Sequence, residues 1–269
     1  MVNQSLVSVG STLSGFKQFQ ITATAEAQCP RHSAYIENTF ATGRVSRCPE
    51  CDREATAKQE AEENEARKAA DQERKERFAA ELMGNSGLTP RFATKTIKGY
   101  VVETQAQADI VERIKDFGGE FAQGHSGRNL ALIGNTGTGK SHLAAALVGY
   151  VIRKLNRPAR FMSVSALSRM ILESKDFKKA KYTESQVIEA MASLELLVID
   201  EIGVQSGSDA ESRALFDVFN TRYEHMKPTI FISNLQLDGF AAAVGGRIMS
   251  RLREDGGEIL SFNWEDCRK

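Results

Sequence analysis

Gly134-Asn135-Thr136-Gly137-Thr138-Gly139-Lys140-Ser141 fits G-x-x-x-x-G-K-[ST], the spacing of a phosphate-binding loop. Its glycines let the backbone turn tightly and aim several N–H groups at one point, a concave anion site. Lys140 would reach the β- and γ-phosphates of ATP, and Ser141 would put its hydroxyl on Mg²⁺. The helix that follows, entered through His142, would turn its positive end to the same phosphates. Further along, Leu196-Leu197-Val198-Ile199-Asp200-Glu201 is an apolar run ending in two carboxylates. Asp200 suits the Mg²⁺ shell opposite Ser141, and Glu201 suits orienting or deprotonating an attacking water. Phe231-Ile232-Ser233-Asn234 ends another apolar run in an amide; Asn234 either holds that water or reads the γ-phosphate, or forms a turn.

A second cluster lies near the start. Cys29, His32, Cys48 and Cys51 read C-x₂-H-x₁₅-C-x₂-C, two short pairs that can each close one edge of a Zn²⁺ tetrahedron. Four protein ligands leave no open position, so the metal would be structural, and so small a module would take its fold from the metal. Free thiols in a loop or a redox Cys-x-x-Cys are the alternatives, the latter without a thioredoxin-like surrounding pattern. Cys267 stands alone and reads as an ordinary thiol.

These groups need elements to position them. Arg128 to Ile133 reads as a buried strand before the loop, and Ser141 to Leu155 as a helix after it. Further strands are expected at Arg160 to Val164, Leu194 to Asp200, Thr229 to Ser233 and Ile259 to Phe262, with a helix over Ala210 to His225. Alternating strands and helices predict an α/β fold, a parallel five-stranded sheet between helices. The organisation expected is a polar lead over 1–28, a metal module over 29–51, a charged helix and linker over 52–87, and a nucleotide domain over 88–269. The charged helix, stopped by Gly84-Asn85-Ser86-Gly87, has no heptad seam; it is a solvated spacer or a partner-binding helix.

Composition limits the classes. The formal net charge is zero, so nucleic acid would be bound by local patches and not by bulk charge. No apolar run is long enough to span a bilayer, and the first residues carry no secretory pattern, so no membrane partner and a cytoplasmic location are expected.

Taken together, Gly134 to Leu143, Leu196 to Gly203, Ile232 to Asn234, Gly246 to Arg253 and Phe262 to Arg268 resemble the DnaC-type AAA+ helicase loaders, with the transposition helper IstB a near relative. The resemblance covers roughly residues 88–269. The cysteine module is similar to that of DnaI-type loaders and phage DnaC-like proteins, which DnaC itself lacks. The resemblance implies an AAA+ P-loop ATPase using ATP, Mg²⁺ and Zn²⁺. It implies that Arg251 is an arginine finger acting on a neighbouring subunit's ATP, with Arg247 supporting or replacing it, and that Arg268 touches the γ-phosphate within its own chain. Such loaders hold single-stranded DNA with a helical insertion after the second strand. Here Ser165 to Tyr182 carries Arg169, Lys178, Lys179 and Lys181 with Phe177 and Tyr182, either a single-strand site or a solvated loop. The implied partners are a hexameric DnaB-type replicative helicase, single-stranded DNA and further copies of the chain through the ATP site. An IstB-like regulator on duplex DNA, a nucleotide-gated adaptor without hydrolysis and a DNA-binding zinc protein remain as alternatives.

Overall fold

The computed structural model describes residues 19–175, 180–203 and 209–267. The chain divides into two compact units, Met1–Glu73 and Arg74–Lys269.

In the first unit, β1 (Ile21–Gln28) pairs antiparallel with β2 (Ala34–Phe40), and helix α1 (Pro49–Gly84) begins. The polar lead expected over 1–28 is therefore corrected at its end, where residues 21–28 are a strand. Its signal is a plain alternation of Ile21, Ala23, Ala25 and Ala27 with Thr22, Thr24, Glu26 and Gln28. Alanine is too small to make that alternation look hydrophobic, so hydrogen bonding to β2 decides the outcome. The helix expected from residue 52 starts instead at Pro49, because proline is pre-set for the first helical turn. Cys51 is thereby placed on helix and not in a loop. The first turn carries Glu50 and Asp52, which favour its positive end.

In the second unit α1 ends, and its last turns lay Ala79, Leu82 and Met83 against the core. Ser86 follows, and its carbonyl accepts the Phe161 N–H at 2.7 Å. That bond occupies part of the edge of β4 (Ala159–Ser163). After α2 (Pro90–Ala93) comes α3 (Gln105–Gln123), an element the sequence reading did not anticipate. It opens with a capping box between Thr104 and Gln107 and buries Ile110, Ile114, Phe117 and Phe121 at helical spacing. Strands β3 (Leu130–Gly134), β5 (Leu196–Asp200), β6 (Thr229–Ile232) and β7 (Glu258–Phe262) complete a five-stranded parallel sheet in the order β4-β5-β6-β3-β7.

The central strands β3, β5 and β6 are buried on both faces, and their residues alternate between two cores. Leu130, Leu132, Val198 and Ile230 face α3 and α4 (Lys140–Leu155). Ala131, Ile133, Ile199 and Phe231 face α5 (Val164–Glu173), α6 (Glu184–Ala192), α7 (Asp209–Glu224) and α8 (Leu237–Arg253). A parallel sheet brings all strand carboxyl ends to one edge. Gly134, Asp200 and Ser233-Asn234 follow or end β3, β5 and β6, so the chemistry-bearing residues converge there. Arg222 pins the opposite region from inside the core. It is fully buried and donates to the carbonyls of Met191 at 2.7 Å, Leu194 at 2.9 Å and Pro228 at 2.6 Å, and to Thr229 Oγ1 at 3.0 Å. Burial lowers its pKa to about 9.

Candidate nucleotide site and metal centre

The loop leaves β3 at Gly134 and enters α4 at Lys140 through Gly139, whose φ of 94° and ψ of 11° make the turn into the helix. Its outer side is held by distant segments. The Phe262 carbonyl takes the Asn135 N–H at 2.9 Å, and the Trp264 carbonyl takes Asn135 Nδ2 at 3.2 Å. The Thr138 carbonyl accepts from Tyr100 Oη at 2.8 Å and from Trp264 Nε1 at 3.2 Å, while the Cys267 N–H donates to Gly137 O at 3.1 Å. A side chain at Gly139 would meet the Tyr100 ring at 2.3 Å, and one at Gly137 would meet the Asp266 carboxyl at 2.0 Å. The pattern's glycines thus serve packing around the loop as well as its curvature.

Lys140 is buried, and its ammonium donates to the carbonyls of Gly134 at 2.8 Å and Asn135 at 2.5 Å. A triphosphate would offer that ammonium a charged acceptor in their place. Ser141 Oγ donates to Asp200 Oδ2 at 2.9 Å, so the hydroxyl and carboxylate expected to share Mg²⁺ are side by side. Burial raises the Asp200 pKa, against the hydrogen bonds from Ser141 and the Glu201 amide. A divalent cation would oppose that rise by stabilising the carboxylate. Asp200 Oδ1 accepts the Glu201 N–H at 2.7 Å. Glu201 itself has φ 65°, an uncommon conformation for a side-chain-bearing residue, and stands exposed at the end of β5.

These groups border one cavity of about 570 Å³, within the usual range for a small-molecule pocket. The loop from Thr136 to His142, Asp200, Glu201 and Asn234 line it. Further lining residues escaped the sequence reading, among them Phe92, Tyr100 and, read there as an ordinary thiol, Cys267. His142 lies edge-on to Tyr100 with ring centroids 5.7 Å apart and has Nε2 2.9 Å from the Thr96 carbonyl.

The arginines sit apart from that cavity. Arg251 is half-buried, with its guanidinium 4.8 Å from the centroid of Tyr223 and 5.9 Å from that of Phe216. Arg247 is exposed, 5.7 Å from the Phe216 centroid. Neither is among the described residues lining the cavity of its own chain. Arg268 lies outside the described residues, as do Phe177, Lys178 and Lys179. Arg169 is exposed on α5, and Lys181 is exposed with its ammonium 5.5 Å from the Tyr182 ring centroid. Nearby Lys175 is paired with Glu184 at 3.1 Å.

In the first unit, the ligand atoms of Cys29, His32, Cys48 and Cys51 all lie within 4.8 Å of one another. Zn–S bonds of about 2.3 Å and a Zn–N bond of about 2.0–2.1 Å give a tetrahedron with S–S edges of about 3.8 Å and S–N edges of about 3.6 Å. Cys29 and Cys51 sulfurs are 3.6 Å apart, and His32 Nδ1 is 3.5, 3.7 and 3.4 Å from the sulfurs of Cys29, Cys48 and Cys51. The cluster fits the ion, and the sulfur spacing is far from the 2.0 Å or so of a disulfide. The Cys29 thiol is lowered to about 6, first by the Arg31 backbone amide, whereas Cys51 is raised to about 11, first by its contact with Cys29. A bound metal would draw all three sulfurs as thiolates.

A strand, glycine loop and helix with Ser141 and Asp200 in contact at the carboxyl edge of a β4-β5-β6-β3-β7 sheet define an AAA+ P-loop protein, built to take a nucleoside triphosphate. The family model for the IstB-like ATP binding protein matches residues 60–252, and the chain belongs to that family. It is 28% identical over 185 residues to the replicative helicase loader DnaC of Escherichia coli K12, spanning 68% of this chain and 73% of DnaC. It is also 28% identical over 187 residues to the E. coli K12 protein YdaV, spanning 70% and 73%. The crystal structure of the DnaC helicase loader superposes with a TM-score of 0.57 at 21% identity, over 65% of this chain and all of that one. The crystal structure of DnaI gives 0.53 at 20%, over 68% and 96%. At that identity the structures speak for the shared fold.

Proposed function

We propose that this chain is an ATP-dependent loader that places a DnaB-type hexameric replicative helicase on single-stranded DNA. The observation that carries the reading is the Ser141–Asp200 contact of 2.9 Å beside Lys140 and Glu201, in a chain whose relatives include the loader DnaC. In the reaction, the loop from Gly134 to Ser141 binds the phosphates and Lys140 leaves its carbonyls for the β- and γ-phosphates. Ser141 and Asp200 would hold Mg²⁺, which would supply neutralisation of phosphate charge. Glu201 orients the water or takes its proton, assisted by Asn234. Arg251, with Arg247 beside it, acts on the nucleotide of a neighbouring copy, and Arg268 acts on its own. The residues Cys29, His32, Cys48 and Cys51 hold a structural Zn²⁺. Among the described residues, no helix is long and apolar enough to cross a membrane, and the proposed work is cytoplasmic.

ATP is best understood here as a switch, with γ-phosphate loss releasing one arrangement for another. Arg169, Lys178, Lys179 and Lys181 are the proposed single-strand contacts. The full chain should therefore hydrolyse ATP slowly alone and faster with helicase and single-stranded DNA. Glu201→Gln should keep nucleotide binding and lose about 10²–10⁴-fold in turnover; unchanged turnover would remove the assignment of Glu201. The family description favours one second reading, an IstB-like helper on duplex DNA. ATP turnover raised by duplex and not by single strands, with no helicase complex in size-exclusion chromatography, would select it.

A further inference from the structure

His32 has two ring nitrogens with different neighbours. Nδ1 faces the sulfurs of Cys29, Cys48 and Cys51, while Nε2 lies 3.1 Å from Glu54 Oε1. Glu54 follows Cys51 by three residues on α1, so both project from one face of that helix. The other oxygen of Glu54 accepts Arg31 Nη2 at 2.5 Å. The carboxylate is thus braced by an arginine one residue before the histidine it meets.

An imidazole can bind a metal through Nδ1 with Nε2 protonated, or the reverse. A carboxylate that accepts one N–H fixes which nitrogen is left for the metal, sets the ring plane and raises the basicity of the ligating nitrogen. We propose that Glu54 is the positioning residue of the metal centre: it accepts the Nε2–H of His32 and so presents Nδ1 to the ion. The inference rests on the zinc reading of the cluster. It adds that α1 contributes two residues to the centre, Cys51 as ligand and Glu54 as the brace. Metal loading and the first turns of α1 are then linked through both. That link matters because no residue of α1 is fully buried, so the metal centre would contribute to holding its first turns.

The test uses the full chain. Zn²⁺ affinity is measured by chelator competition for the native protein, Glu54→Ala and Glu54→Gln, beside absorption spectra of the Co²⁺-substituted forms and ¹⁵N spectra of His32. Glu54→Ala should weaken Zn²⁺ by about 10–100-fold and speed solvent exchange of the Nε2 proton. Glu54→Gln keeps an acceptor oxygen and should recover most of the loss, with a native Co²⁺ spectrum. Affinity within about twofold of native for Glu54→Ala, measured against that expected loss, or metal on Nε2, overturns the proposal while leaving the zinc reading intact. A native chain that holds no Zn²⁺ overturns both.

Discussion

Replacing Gly139 by alanine tests whether the phosphate loop is held by Tyr100. The new Cβ would stand 2.3 Å from Tyr100 Cε2, 3.2 Å from Cδ2 and 3.3 Å from Cζ, at a backbone φ of +94°. The left-handed backbone costs about 1–2 kcal/mol for a residue with a side chain. Tyr100, only 9% exposed, must move, which breaks its 2.8 Å bond to the Thr138 carbonyl. Losing that bond costs about 1 kcal/mol, and uncovering part of the ring a further ~1–2 kcal/mol. The sum is about 3–5 kcal/mol, or at least ~6 °C in melting temperature for a unit of this size. Thermal unfolding of the single variants and of Gly139→Ala/Tyr100→Ala separates the causes. With the ring gone, only the backbone cost of about 1–2 kcal/mol should remain, leaving a coupling of ~2 kcal/mol between the positions. Additive losses, or a Gly139→Ala protein that melts like the native one, would refute the packing argument.

Arg222→Met removes the donor to four carbonyls, those of Met191, Ala192, Leu194 and Pro228, and to Thr229 Oγ1 inside the core, and urea unfolding should show a loss of about 3–5 kcal/mol. His125 is pressed between Phe117 and Phe121, and burial lowers its pKa from 6.5 to about 4. The unfolded chain therefore binds more protons between those values, and stability should be full above pH 6.5 and fall as pH drops from 6.5 towards 4. A His125→Gln protein should show a smaller fall in urea midpoint between pH 7 and about 4.5; equal slopes would discount the histidine. Arg251→Ala and Arg247→Ala should both lower ATP turnover, and Arg251→Ala should lower the melting temperature more, because half-buried Arg251 packs on Tyr223 and Phe216 whereas exposed Arg247 meets Phe216 alone. Equal melting temperatures for the two variants would contradict that division.

The sequence announces the sheet because its strands are nearly continuous apolar runs, such as Leu196 to Ile199, and because glycines and acids mark their carboxyl ends. The Ser141–Asp200 contact follows from that pattern, since Asp200 ends β5 and Ser141 lies in the first turn of the helix that the loop after β3 enters at the same sheet edge. The hairpin strand β1 was hidden by its alanines and threonines. Helix α3 carried its own signal in Thr104-x-x-Gln107 and the Ile110, Ile114, Phe117 and Phe121 stripe. Tyr100 had none. It meets the loop 38 residues away, and only tertiary folding brings its hydroxyl to Thr138. Glu54 was equally silent, because a carboxylate in a charged helix looks like any other until a histidine ring is placed beside it. Cys267 entered the nucleotide cavity through a backbone bond to Gly137, which no side-chain pattern could signal.

The central claim is that nucleotide held at Lys140, Ser141 and Asp200 governs delivery of a helicase. The most direct measurement is transfer of a DnaB-type helicase onto circular single-stranded DNA coated with single-strand-binding protein, scored as helicase retained on the isolated DNA. Native chain with ATP should raise retention well above helicase alone, and Lys140→Ala should abolish the gain. Retention that is the same with native chain, with Lys140→Ala and with no chain would contradict the account.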